Sequence, residues 1–299
     1  MLMKAKNVFD LLKATCQTWY EHEAYRLGAA LSYYLAFSLA PILIVVVALA
    51  SLVYGESAAQ GRLVEQIETT VGAQLAKTIE EILSQSRATG SGTLATVVSI
   101  TMLLFSATAV FAELHNALDT LWDVRPKSGR GWWGVVKVRF WSFMLVLVVG
   151  ALLLASLAVS AVVSNFFPSG MWRVANVMVS LGLITVFVAT IYKILPDVIL
   201  TWWDVWVGAA ATAILFTLGK YLIGLYLGKV SLTSPYGVAG SLAIILLWVY
   251  YSSQVLLFGA AFTKVYANKY GKPMTRAHKA EPLTEPARAR QGMATPSQS

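Results

Sequence analysis

The chain has 299 residues, of which 57% are hydrophobic and only 13% are charged, and its formal net charge is +8. Soluble globular chains carry about 25% charged residues, whereas here the apolar residues come in long uncharged runs such as 42–53 and 240–263. This pattern argues against a soluble domain and predicts an all-α integral membrane protein, because a helix satisfies its own backbone hydrogen bonds in lipid. The single cysteine, Cys16, excludes an intramolecular disulfide and a cysteine-rich metal site.

The segment before the first apolar run has the spacing of an amphipathic helix. Within residues 7–23, one helical face collects the apolar side chains Val8, Leu11, Leu12, Thr15, Cys16, Trp19 and Tyr20. Two interpretations are open: the helix lies on the cytoplasmic membrane surface, or it packs against the cytoplasmic end of the protein's own helices. We assign residues 1–30 to this cytoplasmic segment.

Six apolar segments are predicted to cross the membrane within a transmembrane domain of residues 31–271. They are residues 32–54, 92–112, 140–164, 174–195, 203–227 and 238–266. Lysine and arginine are enriched in cytoplasmic connections. Here 17 of the 23 such residues lie before the first span, after the second, after the fourth or around the end of the sixth. This bias predicts that both termini are cytoplasmic.

Two segments outside the spans carry further predictions. Residues 55–91, on the periplasmic side, contain two apolar stripes separated by Gly72, which predicts a helical loop. Residues 272–299 are rich in proline, alanine, arginine, serine and glutamine, which predicts a disordered cytoplasmic tail.

The motifs of the common hydrolases and of ATP-driven pumps are absent from the sequence. It contains no HExxH zinc motif, no phosphate loop and no Gly-x-Ser-x-Gly elbow, and its histidines, His22, His115 and His278, fall in three different segments. We therefore expect no enzyme, no metal site and no cofactor. Glu113 and His115 are the best acid–base pair available, but residues two apart on a helix point away from each other.

Polar groups inside the membrane are costly and are therefore candidates for function. Lys220 stands about two-thirds of the way along the fifth span, where it contributes to a substrate site, extends its amine to the outer interface or pairs within the protein. Lys193, Pro196 and Asp197 surround the short turn between the fourth and fifth spans. This turn is interpreted first as a helix-ending corner and secondly as a gate.

Several segments resemble, in the same order, those of the YihY/BrkB family of inner-membrane proteins. They are ALSYYLAFSLAP at 30–41, YKILPD at 192–197, GKY at 219–221, SPYG at 234–237, LWVYYS at 247–252 and FGAAF at 258–262. The resemblance covers residues 10 to 270. It implies a six-helix protein of the bacterial inner membrane that is linked to envelope integrity, and members have been suggested to transport lipids or solutes. The family was formerly called ribonuclease BN, but the nuclease residues that would support this name are missing from this sequence. The acidic residue that often follows Gly-Ala in the last span is also missing here, since Ala261 and Phe262 follow Ala260.

We therefore expect a non-ATP-driven transporter or translocator of a lipid or a small anionic or zwitterionic solute. A cationic Lys220 beside tyrosine hydroxyls suits an anionic headgroup, and the candidate substrate-binding residues are Lys220, Tyr221, Tyr236, Tyr33 and Tyr34. Membrane lipids are the expected partners, a homo-oligomer is compatible with the glycines of the last two spans, and nucleic acid is not expected. The alternative is a non-transporting envelope scaffold that binds partner proteins through its amphipathic segments.

Overall fold

The computed structural model describes residues 5–38, 109–126, 171–229, 233–271, 275–276, 280–284 and 288, together with isolated helical residues between 61 and 80. The described helices are α1 (Ala5–Glu21), α2 (residues 24–38), α3 (residues 109–121), α4 (Met171–Ile194), α5 (Trp202–Lys229) and α6 (Thr233–Tyr270). The described strands are β1 (Val124–Pro126), β2 (Val198–Ile199), β3 (Thr275–Arg276) and β4 (Ala280–Pro282).

Three of the described helices are long and apolar enough to cross a membrane. Their qualifying segments are Val177–Ile194, Trp202–Ile223 and Ala243–Tyr270, which coincide with the predicted fourth, fifth and sixth spans. The predicted first and second spans lie outside the described residues except for 32–38 and 109–112, which are helical. The third span and nearly all of the periplasmic loop also lie outside them. The described part is therefore a mostly helical membrane protein.

α5 and α6 cross where two glycines face two threonines. A Cβ on Gly208 would collide with Thr263, and one on Gly259 would collide with Thr212. Each threonine hydroxyl donates to a glycine carbonyl of its own helix, from Thr212 to Gly208 at 2.8 Å and from Thr263 to Gly259 at 2.7 Å. Because small residues let two helix backbones approach closely, this reciprocal Gly–Thr crossing fixes the two helices at short range.

Tyr192 of α4 joins a third helix to this crossing. Its ring is fully buried, and its hydroxyl donates to the carbonyl of Leu256 at 2.6 Å and lies 3.1 Å from the Thr212 hydroxyl. The indole of Trp122 packs edge-on against it, with 6.1 Å between the ring centroids. A buried tyrosine needs a partner for its hydroxyl, and here that partner is the backbone of α6.

The N-terminal helices pack along α6. Leu11 and Thr15 of α1 are buried, whereas Phe9, Leu12 and Tyr20 are exposed, so the apolar face predicted for this segment divides between protein contact and an outward surface. After α1 the chain reverses direction at Glu23, whose φ of 48° lies in the left-handed region.

α2 lies against α6 through a polar contact and a close approach. Gln254 donates its side-chain amide to the carbonyl of Tyr25 at 3.1 Å. The same side chain occupies the space that a Cβ on Gly28 would need, so α2 approaches α6 where it carries no side chain.

The predicted disorder of the C-terminal tail stays a prediction, but a few described residues of this segment form short strands. β4 pairs antiparallel with β1, with Arg125 opposite Glu281, and β3 pairs antiparallel with β2, with Val198 opposite Arg276. Strand pairing uses backbone N–H and C=O groups, and these are present whatever the side chains. The polar composition of the tail therefore did not reveal these contacts, which occur at residues 275–276 and 280–282.

Candidate functional site

Segments that the charge bias placed on one side of the membrane meet at one end of the described helices. The turn after α1, the end of α3, the α4–α5 corner and the tail strands all converge there. Two polar clusters lie among them. We call the first, made of His22, Asp123, Lys264 and Arg288, the Asp123 cluster, and the second, made of His115, Asp119 and Asp197, the His115 cluster.

The Asp123 cluster gathers three basic side chains around one carboxylate. Asp123 Oδ2 accepts a hydrogen bond from Lys264 Nζ at 2.6 Å, while Oδ1 lies 3.1 Å from His22 Nε2 and accepts from Arg288. The ammonium of Lys264 also donates to the carbonyl of Leu121 at 2.8 Å. Asp123 reaches this position because its φ of 56° turns the chain sharply between α3 and β1.

Electrostatics in the Asp123 cluster favour the ionised carboxylate. Burial alone raises the pKa of Asp123, but hydrogen bonds from His22 and Lys264 and the positive charge of Lys264 outweigh it and hold the pKa well below its usual range. The three bases come from the α1–α2 turn, from α6 and from the tail. The cluster therefore acts as an ionic tie between distant parts of the chain, and its charged groups are occupied with one another.

The His115 cluster joins α3 to the corner between α4 and α5. His115 and Asp119 are one turn apart on α3, and their Nε2 and Oδ2 atoms are 3.3 Å apart. Asp197 Oδ2 lies 3.8 Å from the same nitrogen, and the backbone N–H of Asp197 donates to Asp119 Oδ1 at 2.9 Å. His115 Nδ1 is 2.6 Å from the carbonyl of Leu195.

Of the predicted gate or corner residues, Asp197 belongs to this cluster, and Lys193 and Pro196 lie beside it. Pro196 is buried in the bend that follows α4. Lys193 donates to the carbonyl of Leu200 and lies 5.2 Å from the ring centroid of Trp202. These contacts of Lys193 close the corner across its own turn, while Asp197 points to α3.

The predicted substrate-binding residues lie on different helices. Lys220 and Tyr221 are on α5, with the Lys220 amine 5.4 Å from the Tyr221 ring centroid, while Tyr33 and Tyr34 are on α2. The side chains of these three tyrosines are exposed. Tyr236 belongs to α6, but its side chain is outside the described residues.

Sequence reasoning missed Asp119, Asp123 and Lys264. Asp119 carried a usable signal, because a histidine and a carboxylate at i and i+4 share one helical face. Asp123 and Lys264 carried none, since they are 141 residues apart in the chain.

Comparisons with known proteins agree with the membrane architecture. The family model described as virulence factor BrkB matches residues 15–284. A UPF0761 membrane protein of Stenotrophomonas maltophilia strain K279a is 29% identical over 260 residues, which are 81% of this chain and 57% of that protein. Another, from Albidiferax ferrireducens, is 30% identical over 171 residues, which are 54% of this chain and 39% of that protein. The chain thus spans about two fifths to three fifths of the length of these relatives. No solved structure matches it.

Proposed function

The chain belongs to the virulence factor BrkB family of membrane proteins, and on that basis we propose that it translocates a lipid across the bacterial inner membrane without ATP. A small anionic or zwitterionic solute is the other substrate class that fits the same chemistry. The activity serves the integrity of the cell envelope. The proposal includes six transmembrane helices, cytoplasmic termini and no enzymatic step on the substrate.

The observation that carries this proposal is the setting of Lys220 on α5. Its half-buried amine lies over the ring of Tyr221. The exposed Leu218, Leu222 and Leu225 form a separate apolar stripe on the opposite side of the same helix. An ammonium beside an aromatic ring in a membrane-spanning helix suits the anionic headgroup of a lipid.

The test is translocation of a fluorescent anionic phospholipid in proteoliposomes, comparing the wild type with Lys220→Ala. A matched control is Lys269→Ala, because Lys269 makes a similar contact with Tyr270, at 5.6 Å, near the other end of the membrane region. We expect at least a tenfold loss of rate in Lys220→Ala, and little change in Lys269→Ala. Equal rates in both variants would remove Lys220 from the site. An inactive wild type would reject translocation of this lipid.

A second function is favoured by the outward surface of α1. Phe9, Leu12 and Tyr20 remain exposed after α1 has packed on α6, and exposed apolar groups of this kind mark contacts with lipid or with another protein. A non-transporting envelope scaffold would use this surface to hold a partner. Stable copurification of one partner, lost in Phe9→Ser, together with inactive proteoliposomes would favour the scaffold.

A further inference from the structure

The His115 cluster has the dimensions of a metal site. The imidazole Nε2 and one oxygen each from Asp119 and Asp197 lie within 4.8 Å of one another. The two distances from Nε2 are 3.3 Å and 3.8 Å. Ligand atoms that sit about 2.1 Å from a metal ion are separated by ~3.0–3.5 Å in octahedral or tetrahedral arrangements. The distance from Nε2 to Asp119 falls in that range, and the distance to Asp197 lies just above it.

The surrounding hydrogen bonds orient the three side chains toward that point. His115 Nδ1 lies 2.6 Å from the Leu195 carbonyl, which accepts a hydrogen bond, so Nδ1 carries a proton and Nε2 is the ring nitrogen that faces the two carboxylates. Asp119 Oδ1 accepts from the Asp197 N–H, which leaves Oδ2 on the side of the histidine. Histidines and carboxylates that bind metals are commonly held in this way, through the atom that does not bind.

The surroundings of the His115 imidazole and the solvent exposure of the three side chains also fit metal binding. The Phe111 ring lies parallel to the imidazole, with an interplanar angle of 9° and 6.4 Å between the ring centroids. The side chains of His115, Asp119 and Asp197 are 14%, 3% and 20% exposed. The cluster is therefore largely buried, with His115 and Asp197 in partial contact with solvent.

We propose that His115, Asp119 and Asp197 bind one divalent transition-metal ion. The mixed nitrogen and oxygen donors suit Zn²⁺ or Mn²⁺, since calcium and magnesium prefer oxygen alone and copper(I) prefers sulfur. The ion ties α3 to the bend after α4, two segments that are 78 residues apart at Asp119 and Asp197. This separation explains why no metal motif is visible in the sequence. The proposal does not depend on the lipid-translocation function.

The experiment uses the full chain, purified in detergent, stripped with a chelator and dialysed. Co²⁺ serves as the spectroscopic probe, because its visible absorption reports coordination, and Zn²⁺ is then added as a competitor. We expect one Co²⁺ per chain, displaced by Zn²⁺, and a rise in the thermal midpoint when either metal is present. The variants are His115→Ala and the conservative Asp197→Asn, and His22→Ala is the matched control because it removes the histidine of the Asp123 cluster.

Binding should weaken by at least about 100-fold in His115→Ala and Asp197→Asn, and remain unchanged in His22→Ala. Asp197→Asn keeps the size of the side chain and the backbone N–H, so it reports on binding even if His115→Ala folds poorly. Wild-type protein that takes up neither Co²⁺ nor Zn²⁺ at micromolar concentration would overturn the proposal. Uptake that is equal in the wild type and in a folded Asp197→Asn variant would do the same.

Discussion

The reciprocal Gly–Thr crossing makes a quantitative prediction at Gly259. In Gly259→Ala the new methyl group would collide with the hydroxyl of Thr212, and it would lie 2.6 Å from the Tyr192 hydroxyl and 2.9 Å from Thr212 Cβ. These distances are too short for carbon contacts, and both neighbours belong to well-packed helices. α5 and α6 must therefore separate, or Tyr192 must move away from its partners.

The magnitude follows from these two costs. Overpacking by one methyl group in a tight interior costs roughly 1–3 kcal/mol. Displacing Tyr192 weakens its hydrogen bond to the Leu256 carbonyl, and a hydrogen bond of this kind between membrane helices contributes about 0.6–1.7 kcal/mol. We therefore expect the free energy of unfolding to fall by about 2–4 kcal/mol, which lowers the thermal midpoint by roughly 5–10 °C.

The assay is thermal unfolding in detergent, followed by the fluorescence of the 10 tryptophans. Gly182→Ala on α4 is the matched control, because a Cβ there meets nothing within 4 Å. It should change stability by no more than about 1 kcal/mol, in the favourable direction, since alanine is the better helix former. If Gly259→Ala unfolds within about 2 °C of the wild type, the helices are not in the close contact described here.

Two further predictions concern the Asp123 cluster and the topology. Asp123→Asn should lower the free energy of unfolding by roughly 1–3 kcal/mol, below the value for a fully buried ion pair because the Asp123 side chain is 34% exposed. The lowered folded-state pKa means that the carboxylate contributes its full stability above its ordinary pKa of 3.8 and loses it as the pH falls below that value. Thermal midpoints of wild type and variant should therefore differ at pH 6 and converge below pH 3.8, and a constant difference would contradict the assignment. For the topology, the exposed thiol of Cys16 should react with a membrane-impermeant maleimide in inside-out vesicles and not in intact cells, with Cys16→Ser as the blank; labelling in intact cells would place the N-terminus outside.

The apolar helices were predictable because the signal for each is local. α4, α5 and α6 each correspond to one continuous apolar run of residues. In the lipid bilayer such a run forms a helix, because a helix satisfies its own backbone hydrogen bonds. It was predictable that the amphipathic segment forms a helix. It was not predictable which side chains of its apolar face are buried and which are exposed. Leu11 and Leu12 are neighbours of equal hydrophobicity, and only the position of α6 decides that the first is buried and the second is exposed.

The polar clusters were predictable only where their members share one helix. His115 and Asp119 are separated by one turn, so their proximity follows from the helical repeat. Asp197, Lys264 and Arg288 contact partners that are far away in the chain. The tertiary arrangement brings these residues together, and no periodic pattern in a single sequence predicts it. The corner residues Lys193 and Pro196 are an intermediate case, because proline indicates the end of a helix without indicating what packs against it.

The residues of the Asp123 cluster are synthesised at very different stages of translation. The ribosome makes His22 first and Asp123 about a hundred residues later, but Arg288 and the β4 strand are made after all the described helices. During translation Asp123 can therefore pair with His22 and Lys264 first, whereas the ion pair with Arg288 and the pairing of β1 with β4 can form only afterwards. Until the tail segment has been made, this end of the bundle is held by the contacts among the helices and the corner alone.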